Sequence, residues 1–173
     1  MGRGGIFVRR SNHGIWLVWG ITALIGTGWH FLYDWLPFQL VGMVAPVNES
    51  VWEHLKLLFW PFLLACPFLV QRGRNAQRAW GACFAAMLLM PALLLGIYYP
   101  LRAGFGVQTE MMPIVLYYLV LAAGFWITHR LSGVAAMERW AGVLLMAVGF
   151  YVACLIVFSV AAPPLPIFQA PSA

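Results

Sequence analysis

The chain has 173 residues, 63% of them hydrophobic, and carries only ten basic and five acidic side chains. A soluble domain is about 25% charged and covers its surface with such groups, whereas this chain is 9% charged and has a mean hydropathy of +0.85. The composition excludes an ordinary water-soluble domain and makes the lipid bilayer the solvent; without a basic stripe on a soluble face, the net charge of +5 does not point to nucleic acid as a partner.

A helix needs roughly 20 mainly apolar residues to cross the hydrocarbon core, and five segments qualify: 15–36, 50–71, 79–99, 112–128 and 139–162. The expected fold class is therefore all-α, a polytopic membrane helical bundle of about five spans forming one integral membrane domain. The first segment follows Arg9 and Arg10 as a signal peptide would, but it is longer than the usual apolar region and ends in "HFLYDWLPF" instead of small residues, so it reads as a retained span. The connection 37–48, "PFQLVGMVAPVN", is mostly apolar and is expected to lie in the interface or to re-enter the bundle. Pro61, Pro67 and Pro91 fall inside spans two and three and are candidate kink sites. The loops 72–78 and 129–139 are polar, and the Pro-rich tail after 162 cannot continue a helix.

Basic residues orient the bundle. With the N-terminus cytoplasmic, the inner side receives Arg3, Arg9, Arg10, Arg72, Arg74, Arg78, Arg130 and Arg139, and the outer side only Lys56 and Arg102, the asymmetry of the positive-inside rule. The expected location is the cell membrane. Most tryptophans fall near span ends, as an aromatic belt requires. Cys66, Cys83 and Cys154 lie within spans and lack CxxC spacing, which gives no disulfide framework. No internal repeat supports an inverted-repeat transporter.

Against this apolar background, "APVNESVWEHLKLLFWP" (45–61) concentrates ionisable groups at the start of span two. Span one, running outwards, brings His30 and Asp34 to the same level, and Arg102 and Glu110 flank the third connection on that side. His30 and Asp34 are i,i+4 and share a face if their helix is continuous. If span two is already helical at Glu49, then Glu49, Glu53, Lys56 and Trp60 form one stripe, with Ser50 and His54 about 100° further round. The expected centre takes His30, Asp34, Glu49 and Glu53 as ligands of a divalent metal such as zinc. Glu53 and His54 are the candidate catalytic residues of a hydrolase-like reaction. Tyr33, Asn48, Ser50, Lys56, Arg102 and Glu110 complete the polar site.

A plainer reading stands beside this one. "SVWE" fits a capping box, acids favour the first turn of a helix, and Lys56 can snorkel to the interface. What favours a site is convergence, because several groups that are costly in a membrane meet at one depth from two spans. The same carboxylates could serve a proton- or cation-coupled carrier, although the inner halves of the spans hold almost no ionisable residues. An accessory subunit of a larger membrane complex, or a homo-oligomer, is the third alternative.

The blocks "WHFLYDWLP" (29–37) and "PVNESVWEHLKLLFWP" (46–61) resemble the signature of a family of small prokaryotic polytopic membrane proteins of unknown function. The resemblance implies a helical membrane fold and one important polar site that includes His30, Tyr33, Asn48, Glu49, Ser50, Trp52, Glu53, His54 and Lys56. It implies no activity.

Overall fold

The computed structural model describes residues 13–73, 75–107, 109 and 111–170. Arg3, Arg9, Arg10, Arg74 and Glu110 lie outside the described residues, among which there is no strand. In chain order the helices are α1 (His13–Trp29), α2 (Leu32–Trp35), α3 (Gln39–Val44), α4 (Val51–Gln71), α5 (Ala76–Tyr99), α6 (Met111–Leu131) and α7 (Ala136–Val160), with a π turn at Pro100–Gly104 and a 3₁₀ turn at Pro166–Phe168.

Four of these, α4 to α7, are long and apolar enough to cross a membrane. The first expected span is shorter than its apolar run. At 17 residues, α1 sits at the lower limit for spanning, and the chain breaks at His30–Phe31 before the separate helix α2. Gly26 and Gly28 in the last turn of α1 weaken helix continuation there, and Pro37 ends the segment. Helices α4 and α5 run through Pro61, Pro67 and Pro91 without interruption.

α5 is the central helix and packs against α4, α6 and α7, while α1 lies on α4 and α6. Small residues make this possible. Gly81, Ala82, Cys83, Ala85 and Ala86 are buried along α5, and a Cβ at Gly81 would strike the Met137 carbonyl of α7, so the two backbones touch there. Phe62 and Phe125 meet edge to face at 5.3 Å in the middle of the core. Tyr117 and Tyr118 fasten α6 to α1: the Tyr117 hydroxyl donates to the Ala23 carbonyl at 3.3 Å, and the Tyr118 hydroxyl bonds Thr27 Oγ1 at 2.9 Å. The outward faces are apolar, with Leu24, Met146 and Phe150 each more than 70% exposed. Such a surface suits acyl chains and not water.

The apolar connection packs onto the bundle. Its helix α3 contacts α7, and Trp29 Nε1 donates to the Val44 carbonyl at 3.0 Å. At the far end of the chain, the 3₁₀ turn brings the Phe168 ring to within 5.0 Å of Trp52 at the start of α4.

Candidate functional site

The start of α4 decides how the ionisable residues are dealt out. Ser50 is extended (φ −71°, ψ 152°), and its Oγ accepts the Glu53 N–H at 3.3 Å, so the helix begins at Val51. Only half of the expected capping box forms: the Ser50 N–H donates to Asn48 Oδ1 at 2.8 Å and not to Glu53. Two consequences follow. Glu49 precedes the helix and is not on the Glu53 stripe, and Glu53 and His54 diverge by the roughly 100° between neighbours on a helix.

Glu53 turns inwards and is 2% exposed, beside Lys56 at 0%. Lys56 Nζ donates to Glu53 Oε2 at 2.7 Å, to the Gly42 carbonyl at 2.7 Å and to the Ala45 carbonyl at 3.1 Å, which uses all three of its donors. Glu53 Oε2 also accepts the Val47 N–H at 2.9 Å. Ser159 Oγ lies 2.7 Å from both Glu53 Oε1 and the Leu155 carbonyl, its one proton shared between them. This fully partnered ion pair ties residues 42–47 and α7 to α4. Burying two charges without such partners would cost several kcal/mol per ion. Lys56 therefore does not snorkel.

His54 turns the other way, towards Glu49 and His30. Its Nδ1 is 2.8 Å from the Ser50 carbonyl. A carbonyl only accepts, so Nδ1 carries a proton, and in the neutral imidazole the lone pair is on Nε2. That Nε2 lies 3.4 Å from Glu49 Oε2, and His30 Nε2 lies 3.7 Å from Glu49 Oε1. One ligand atom from each of His30, Glu49 and His54 falls within 4.8 Å of the others. The two imidazoles stand 5.3 Å apart, centre to centre, and tilted by 38°. His30 and His54 are 30% and 28% exposed and Glu49 68%, so the cluster opens to the surface at this end of the bundle.

Both Glu49 contacts are His–Glu ion-pair distances, longer than a hydrogen bond. An N–H···O bond spans about 2.7–3.2 Å, shorter than both N···O distances here. Two ligands on a tetrahedral ion with bonds of about 2.0–2.1 Å stand roughly 3.3 Å apart. The two Glu49 distances lie near that value but reach different carboxylate oxygens, and one atom from each of the three residues lies within 4.8 Å of the others.

The other residues read from the sequence are distributed as follows. Asp34 is exposed on α2 and not among the converging atoms; the break at His30–Phe31 removes the continuous helix that would have put it on the His30 face. The Tyr33 ring packs against Gly42. Arg102 Nη1 donates to the Tyr98 hydroxyl at 2.8 Å. Glu110 lies outside the described residues. Sequence reasoning passed over Ser159, although a lone hydroxyl near the end of the run "LIVFSVAA" is a signal, since a lipid-facing position has no use for one.

The chain belongs to DUF6512, a family of unknown function, which matches residues 7–172 and so takes in both the cluster and the buried ion pair. No curated protein and no solved structure matches it.

Proposed function

Within a family of unknown function, we propose that this integral membrane protein binds a divalent metal ion, zinc in the first instance, through His30, Glu49 and His54 at the extracytoplasmic boundary. The observation that carries this reading is the gathering of three potential ligand atoms within 4.8 Å of one another, with His54 Nδ1 held by the Ser50 carbonyl. Two imidazoles and one carboxylate form a donor set that catalytic zinc uses, with a fourth coordination position left open. The chemistry such a centre would supply is hydrolysis of a substrate arriving from the outer surface or the lipid boundary. In this reading Glu53 supports the site through the fold. It holds residues 42–47 in place, and these lead directly into Asn48 and Glu49.

The extracytoplasmic placement is supported by charge. Arg72, Arg78, Arg130 and Arg139 gather at the opposite end of the bundle, where the positive-inside rule puts the cytoplasm.

Calorimetric titration of the chelator-stripped protein with zinc tests the proposal. Imidazole must be unprotonated to ligate, so binding is expected to release protons and to weaken as the pH is lowered from 7.5 to about 5.5. Zinc uptake that is absent, or unchanged across that range, would count against a histidine-based site.

A further inference from the structure

At the end of the bundle opposite the His30–Glu49–His54 cluster, α1, α4, α5 and α6 line a half-open cavity of about 500 Å³. Pockets for small ligands run from about 300 to 1,000 Å³, far beyond the room a single water needs. The wall has two characters. Ile15, Leu69 and Phe125 are apolar, while Arg72, Thr128 and Ser132 are polar and come from the ends of α4 and α6. Among the described residues, no acidic one lines the cavity. Glu138, at the same end, is bound by Arg78 at 3.0 Å and by Asn75 at 3.1 Å.

Thr128 is the informative residue. Threonine in a helix ordinarily returns its hydroxyl to the carbonyl four residues back, as Thr22 does to Val18 at 2.7 Å and Thr27 to Ala23 at 2.9 Å. Thr128 is 3% exposed, yet its Oγ1 has no hydrogen-bond partner among the described residues. A buried hydroxyl left unpaired keeps its desolvation cost with no bond to offset it. Across the cavity, Gly14 has no Cβ, and one built there would collide with the Arg72 guanidinium, so the glycine lets that group lie directly on the α1 backbone. Arg72 has an interaction of its own, but a guanidinium carries five N–H donors and can serve a ligand as well.

We propose that this cavity holds the phosphate group of an anionic amphiphile, with Arg72, Thr128 and Ser132 facing the phosphate and the apolar wall facing the carbon chain. Arg presents a fork suited to phosphate oxygens, and a span end is the depth at which a lipid headgroup lies. The proposal is independent of the metal site.

Native mass spectrometry of the detergent-purified protein tests it, with phosphatidylglycerol, phosphate-free diacylglycerol and inorganic phosphate as probes. The expected result is retention of phosphatidylglycerol over diacylglycerol. Retention should fall at least about tenfold in Arg72→Gln and in Thr128→Val, each checked for native melting, and be kept in Thr128→Ser, since a charge-assisted hydrogen bond is worth about 1.5–3 kcal/mol. Inorganic phosphate that binds and displaces the lipid would identify free phosphate compounds as the source while keeping the phosphate site. Equal retention of diacylglycerol by the parent, or undiminished phosphatidylglycerol in both folded variants, would overturn the proposal. The parent comparison stands alone if a variant does not fold.

Discussion

Replacing Lys56 with alanine is expected to destabilise the protein by about 3–5 kcal/mol, the cost of leaving a buried charge without its partner. The substitution abandons more than Glu53. The carbonyls of Gly42 and Ala45 lose the only side-chain donor that reaches them among the described residues, and a side chain with no exposure leaves a void. Removing both charges in a Glu53→Gln, Lys56→Met double variant should recover much of the loss, because a buried pair exchanged for neutral groups of like volume is often close to neutral. Thermal unfolding in detergent, followed by tryptophan fluorescence, provides the check. For a chain of this size the single variant should melt on the order of 10 °C lower, and the double variant should lie between it and the parent. A Lys56→Ala protein that melts with the parent would mean that the ion pair does not hold residues 42–47.

The second large effect separates the two polar networks at the start of α4. His54→Ala is expected to weaken zinc binding by a factor of about 100 or more, since losing a partner that merely orients a ligand already costs 10- to 100-fold. The same change should cost little stability, because the ring is partly exposed and its bond to Ser50 is local. Glu53→Gln should do the reverse: the protein is destabilised, while zinc affinity stays within a few-fold of the parent once the variant is folded. Competition with a chromophoric zinc chelator gives the affinities, and the melting curves give the stabilities. Loss of zinc in Glu53→Gln, with retention in His54→Ala, would move the ligand role back to the buried carboxylate.

These two networks mark how far the sequence could be read. Apolar runs of span length carry their own signal, and the helices observed at 51–71, 76–99, 111–131 and 136–160 lie within a few residues of the expected spans. The break at His30–Phe31 left only a weaker trace, the glycines at 26 and 28, within a run that stays mainly apolar from Ile15 to Leu36. A convergence of His30, Glu49 and His54 was within reach, because all three stand at span ends on one side. The division of labour was harder to see. It depends on one residue of helix phase: with Ser50 as the cap and not a helical residue, Glu49 is released from the Glu53 stripe to meet two imidazoles. The buried pair depends on contacts that no local pattern encodes, namely the Gly42 and Ala45 carbonyls and Ser159, which lies 106 residues from Glu53. Lys56 at a membrane boundary fits snorkelling equally well until the apolar connection is folded over it.

Elemental mass spectrometry of the purified protein, prepared without chelators and compared with folded His30→Ala and Glu49→Ala variants, addresses the central claim most directly. A near-stoichiometric divalent metal in the parent, lost from both variants, is the result expected of one site shared between α1 and the start of α4. A parent that remains metal-free after incubation with zinc, or variants that keep the parent's metal, would contradict it.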